Sequence, residues 1–360
     1  MIQGMTIEEL AQTVIRHASG KKDFLVPASS LTFAKGEANS IHVALPDDGD
    51  RFLLNPNASG QVTEFLGIPR RFATFLQAQV PDLLLTNLNT LTSRQPTRRL
   101  LRVLDGNARA FLSDSYRRVD NEEVFDGIYP ALRALGASIE SCNISDDYMH
   151  IQAILHHVEG EIRVGDVVKS GLVISNSEVG RGALTVRRML WRKVCSNGMI
   201  VQEPARRQAH IGGSWVPAED NSWLALSPET QRLKVKAMVA EFGEYLQAIT
   251  TGDRFEALIS KLRDAADTPL PAEPKVVVES LAARYDLRAP EADSALLALA
   301  EGRDYSRWGL ANAITYVANT ATSFDRGVEL EAVGGSIMAM GKGAWNELAL
   351  VPKQRTSGDE

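Results

Sequence analysis

The sequence predicts an α+β protein: a central antiparallel sheet with flanking helices and a helical C-terminal third. Three observations carry that expectation. Strand-length apolar runs follow one another at short turns between residues 137 and 194. Beyond residue 228, apolar residues recur at helical spacing, as in Leu233, Val235, Met238, Val239, Phe242 and Leu246. Between two further apolar runs stands Asp105-Gly106-Asn107, a strong hairpin signal.

Each element has its own local reason. Thr6 caps a first helix, Glu9 completes a capping box, and Ile7, Leu10, Val14 and Ile15 form its apolar stripe. Short strands over 24–28, 31–34, 40–45 and 52–54 predict a small N-terminal sheet. Proline punctuates three helical segments over 61–66, 69–79 and 81–93. The hairpin pairs 98–104 with 108–112, and Asp120-Asn121 starts a helix over 122–135. The main sheet is expected from 137–141, 148–155, 161–164, 167–176 and 182–194.

Asn176, Ser177 and Gly180, then Asn197 and Gly198, read as tight turns at strand ends, because Asn and Gly tolerate positive φ. Helices over 228–250, 254–266, 275–285, 289–300 and 306–323 complete the chain. The glycines at 327, 334, 335, 341 and 343 do not make a nucleotide-binding loop: Gly341-Lys342 is followed by Gly, not Ser or Thr. Residues 1–226 are expected to form the sheet domain, 227–352 a helical region packed on it, and 353–360 a loose polar tail.

Composition bounds the function. The 360 residues carry net charge -6, which argues against a generic nucleic-acid coat and confines any anion site to a local patch. Cys142 and Cys195 are the only cysteines, as expected of a reducing compartment, and the N-terminus lacks a secretion-signal pattern, so a cytoplasmic location is expected. No apolar run reaches the roughly 18 residues that span a bilayer. No membrane partner, cofactor or metal is expected.

Two basic segments stand out against the acidic background. Arg181, Arg187, Arg188, Arg192 and Lys193 surround Trp191 with no acidic residue among them. Residues 94–118 hold Arg94, Arg98, Arg99, Arg102, Arg109, Arg117 and Arg118, together with Tyr116. Arginine binds phosphate bidentately and stacks on bases, so these residues, with Tyr116 and Trp191 as stacking platforms, are the candidate nucleic-acid contacts. Equally, the arginines can pair with carboxylates elsewhere in the chain. Two rival centres are Cys195 as a thiol and the Asp147/His150 cluster.

The runs Gly165-Asp166, Gly171-Leu172, Asn176-Ser177, Gly180 and Arg192 to Gly198 resemble the phage- and plasmid-like proteins grouped as domain of unknown function 932. Phe111 to Asn121 and Trp308 to Ala313 look like the same family, so the resemblance runs from about residue 60 to 340. It implies a mobile-element setting beside replication and recombination. The function expected is a nucleic-acid-binding protein, single-stranded DNA favoured, serving annealing or recombination without covalent chemistry. Homo-oligomerisation would multiply one basic patch on an acidic body. The alternatives are an enzyme of unknown reaction and a factor that binds a host protein.

Overall fold

A computed structural model describes residues 4–46, 50–192, 197–201, 206–208 and 228–350. The chain is α+β, as the sequence predicts, and is built on two sheets. It opens with α1 (Ile7–Gly20). The Glu9 N–H donates to the Thr6 hydroxyl at 3.2 Å and the Thr6 N–H donates to Glu9 at 2.7 Å, completing the capping box.

The first sheet contains β1 (Lys21–Pro27), β2 (Thr32–Lys35), β3 (Ile41–Ala44), β4 (Arg51–Leu54), β5 (Arg98–Leu104) and β6 (Asn107–Ser113). Their order is β1-β5-β6-β4-β3-β2. The β5–β6 hairpin therefore does not stand apart. It inserts between β1, which pairs with β5, and β4, which pairs in parallel with β6. Asp105 and Gly106 both take positive φ, 49° and 80°, the two-residue turn that matches strand twist. Three helices connect β4 to β5: α2 (Pro56–Phe65), α3 (Arg70–Gln79) and α4 (Pro81–Thr92). They cover one face of the sheet through Val62, Leu76, Leu84 and Leu88, packed with Leu101, Val103 and Phe111. Helix α2 starts at Pro56, ahead of the expected Gln61, because Asn55 accepts the Ala58 N–H at 2.8 Å and proline suits the first turn.

Helix α5 (Asn121–Ala134) leads into the second sheet. Its strands are β7 (Ser138–Ile144), β8 (Met149–Glu161), β9 (Val167–Asn176), β10 (Leu184–Arg192) and β11 (Asn197–Ile200), in the order β11-β10-β9-β8-β7. A further strand, β12 (Arg206–Gln208), pairs with β10. The sequence splits β8 in two. The structure keeps it whole through a register shift between Leu155 and Glu159, where His156 and His157 are both exposed.

Each face of the second sheet is closed from a different part of the chain. On one side α1, α5 and α6 (Pro228–Ile249) bury Leu10, Ile128, Leu132, Val239 and Phe242 against Ile151, Leu172, Ile174 and Val186. On the other side α11 (Phe324–Ala339) lays Phe324 and Val328 on Ile154, Val173, Met189 and Ile200. The remaining helices are α7 (Gly252–Ala266), α8 (Pro274–Tyr285), α9 (Ala289–Gly302), α10 (Arg307–Val317) and α12 (Lys342–Glu347). They form the largest apolar cluster, which also takes in Val168, Leu190 and Met199 from the sheet.

Helix α11 occupies the glycine-rich stretch. Its glycines are contact positions: a Cβ at Gly335 would collide with the Ile200 carbonyl oxygen of β11, and one at Gly334 with Thr315 of α10. Backbone opposes backbone at Gly335, so the clash cannot be relieved by a rotamer change. The Gly335→Ala variant is expected to lose about 1–3 kcal/mol of stability by overpacking, read as a lower urea midpoint. An unchanged midpoint would mean that the helix shifts freely. No helix among the described residues is long and apolar enough to cross a membrane.

Candidate nucleic-acid interface

The first basic segment turns two of its arginines into the protein, onto the acidic turn that precedes the second segment. Arg102 is 1% exposed on β5. Its guanidinium donates to Asp23 at 2.9 Å, to Asp120 at 2.7 Å and to the Glu178 carbonyl at 2.9 Å. The Glu178 carboxylate, on the turn after β9, accepts from Lys21 at 2.8 Å, from Arg109 at 2.7 Å and from the Asn121 N–H at 2.7 Å. Three cations thus face three carboxylates across the seam between the sheets. Burial alone would raise the Asp120 carboxyl, but Arg102 and Lys21 beside it hold it well below the usual carboxylate range. Burial and the Asp120 charge push Glu178 up, and Lys21, Arg102 and Arg109 outweigh them, so it too lies below its ordinary value.

Several expected contact residues are therefore withdrawn from solvent. Arg102, Arg109, Tyr116 and Arg188 are buried. The Tyr116 hydroxyl donates to the Ser177 carbonyl at 3.2 Å, and burial pushes the phenol up. Arg188 donates to the Ile249 carbonyl at the end of α6. Strand alternation puts Arg187 on the opposite face of β10, under α11, so the adjacent pair cannot line one groove. Arg192 is held by Asp166 at 2.6 Å, and Trp191 is half-buried against the α11 cluster.

The turn residues have mainly backbone tasks. The Asn176 side chain donates to the Val119 carbonyl and to Asn121, the Ser177 hydroxyl accepts the Arg181 N–H, and Gly180 takes φ 80°. Asn197 and Gly198 are strand residues of β11, paired with Arg192 and Trp191. Lys193 and Cys195 lie outside the described residues. Asp147 and His150 part company: Asp147 pairs with Arg181 at 3.3 Å, and His150 turns toward Ser175 and Asp325. Among the described residues no group of three or more His, Cys, Asp or Glu could hold a metal ion.

The basic residues that still face solvent lie elsewhere in these segments. Arg98 and Arg118 are exposed, Arg118 within 3.3 Å of Asp23. Arg117 is half-buried, and so is Arg99, whose guanidinium lies over the Phe65 and Phe111 rings at 4.5 and 5.0 Å. Arg181 is exposed and lines a cleft of about 580 Å³ between α2, the start of α3 and the turns at 146–147 and 180–181. Asn57 and Gln61 fix this wall by donating to the Val179 carbonyl at 3.1 and 2.8 Å. Arg70 forms the opposite lip.

From that lip, α3 presents a face that sequence reasoning missed. Phe72 is 49% and Phe75 56% exposed, and Arg71 beside them is exposed as well. Spacings of three and four residues put Phe72 and Arg71 each next to Phe75 on the helix surface. No acidic residue occurs between 65 and 81. The signal was present, but apolar residues at 72, 73, 75 and 76 form one broad stripe on α3, which does not tell which of them the core takes.

A family model matches residues 110–329, more than half of the chain. The chain belongs to the family described as a domain of unknown function, DUF932. The DUF932 segment begins within β6, contains the whole second sheet and ends in α11. Glu178, Asp120 and Arg187 fall inside it, whereas α2 and α3 lie before it. No curated protein and no solved structure matches the chain.

Proposed function

We propose that this DUF932 protein binds single-stranded nucleic acid, without covalent chemistry, along α3 and the cleft beside it. The observation that supports this best is the pair of exposed phenylalanines, Phe72 and Phe75, next to Arg70 and Arg71 on a chain whose net charge is negative. Aromatic rings accept stacked bases of any sequence, and arginines neutralise the phosphates between them. Such a surface holds strands apart or side by side and needs no nucleophile, as annealing or recombination requires. Self-association would repeat the patch and raise affinity by multivalency.

The test is the anisotropy of a labelled oligothymidylate titrated at several salt concentrations. Binding should weaken with salt, and Arg71→Ala should reduce the slope by about 0.7. The double variant Phe72→Ala/Phe75→Ala should weaken binding by about tenfold to a hundredfold, since each stacked base contributes about 1–3 kcal/mol. Both rings face solvent, so its unfolding midpoint should stay at the parent's. Salt-insensitive binding, or a double variant that binds like the parent, removes this reading. Binding to anionic lipid vesicles in place of the oligonucleotide would also overturn it.

A further inference from the structure

A second cleft of about 540 Å³ opens between the second sheet and α11. Register places its floor: His150 on β8, Ser175 on β9 and Thr185 on β10 stand in one row, and Arg187 lies two residues further along β10 on the same face. The His150 ring is fixed on all sides. It stacks between Tyr148 at 5.3 Å and Phe324 at 5.9 Å, and its Nδ1 is 2.8 Å from the Ser175 hydroxyl. Its Nε2 stands 3.3 Å from Asp325 Oδ1, close enough for attraction but misaligned for a hydrogen bond. The other oxygen of Asp325 accepts the Ser145 hydroxyl at 2.8 Å.

Three buried polar atoms thus lack a hydrogen-bond partner around this one cleft: His150 Nε2, Asp325 Oδ1 and Arg187 Nε. Arg187 also makes no ion pair with any described residue. Glu331 and Tyr148 act on it only at longer range, and burial of the guanidinium lowers its proton affinity. Glu329, at the rim, is already held by Arg326 at 2.7 Å. A buried donor left unpaired is costly, and Arg187 Nε stands so in this concavity, beside a His150–Asp325 pair held by attraction alone, an arrangement that suits a ligand site.

We infer that this cleft binds a small organic oxyanion, its phosphate or carboxylate seated on Arg187, that also carries a hydroxyl or amino donor for Asp325. The guanidinium fork suits either oxyanion, because both present two acceptor oxygens in its plane. Asp325 Oδ1 can only accept, so the far end of the ligand must donate. The rigid His150 ring between them can donate or accept according to tautomer and sets the spacing of the two ends. The cleft volume falls in the usual range for a metabolite-sized ligand. This site is separate from the α3 surface, and neither depends on the other.

The experiment follows the Arg187 Nε–H and His150 ring resonances by NMR, assigned by their loss in Arg187→Met and His150→Gln. The probes are inorganic phosphate, glycerol 3-phosphate and glycerate, which separate the oxyanion from the donor and phosphate from carboxylate. At least one of the two hydroxylated probes should saturate in the millimolar range or below, about tenfold tighter than inorganic phosphate. Arg187→Met should abolish saturation, Arg187→Lys should retain a weakened form, and Asp325→Asn should erase the preference for hydroxyls. Oligonucleotide binding should be the same in Arg187→Met as in the parent. If no probe gives a saturable shift, or if Arg187→Met titrates like the parent at His150, the inference is overturned.

Discussion

Replacing Glu178 with alanine is expected to lower folding stability by about 3–5 kcal/mol, as for a buried ion pair that loses one partner. The Glu178 side chain is 2% exposed, and its removal strands the buried Arg109 and the Asn121 N–H that starts α5, and leaves Lys21 with Asp120 alone. None of these groups can turn to water without opening the seam between the sheets. Glu178→Gln keeps the shape and one acceptor but removes the charge, so it should fall between alanine and the parent. Urea denaturation with m-values checks both. A loss below about 1 kcal/mol for alanine would show that the network merely balances its own desolvation. The same network governs acid behaviour. Asp120 and Glu178 are both depressed in the folded state, so their contribution is complete above the unfolded carboxylate pKa. It is lost only as pH falls through their lower folded values, and the parent should therefore unfold in acid later than Glu178→Gln does.

The second large effect has the opposite sign. Glu331 is 1% exposed on the inner side of α11, and burial pushes its carboxyl up from 4.5 to about 7. Hydrogen bonds donated by the Gln152 side chain, at 2.6 Å, and by the Gly198 N–H oppose this without cancelling it. The folded protein therefore holds the proton more tightly than the unfolded chain does. Stability from this group is present below about 4.5 and is lost as pH rises to about 7, a swing of about 3 kcal/mol. Glu331→Gln removes the titration. Its amide also supplies a donor for Gln152 Oε1, which is buried without a hydrogen-bond partner. The variant should gain up to about 3 kcal/mol near pH 8 and little near pH 5, measured by urea denaturation at the two values. Equal effects at both would show that Glu331 does not titrate in this range.

The elements most legible in the sequence were those with a local cause. Thr6 with Glu9, Asp120 before α5 and the Asp105-Gly106 turn each specify their geometry within a few residues. What escaped depended on distant partners. Arg102 reads as a surface arginine until Asp23, Asp120 and Glu178, scattered over 155 positions from first to last, are brought around it. Gly334-Gly335 fits close helix packing, but nothing nearby reveals that β11 and α10 are what it packs against. The candidate sites divide in the same way. Arg181 and Arg187 were singled out by local charge, and of the pair Asp147/His150 only His150 lies at the second cleft. Asp325, its true neighbour, is far along the chain, and the exposure of Phe72 and Phe75 depends on which side of α3 meets the sheet.

The closure of the second sheet by α11 has a consequence for synthesis on the ribosome. Strands β8, β9 and β10 leave the exit tunnel well before residues 324–339, so Ile154, Val173 and Met189 have no cover while the intervening helices are still being made. An apolar sheet face left open during elongation is prone to intermolecular pairing. The order of translation and the order of burial thus run against each other. A nascent chain stalled before Phe324 should depend on chaperones to stay dispersed, whereas one released after Ala339 can close the face by itself.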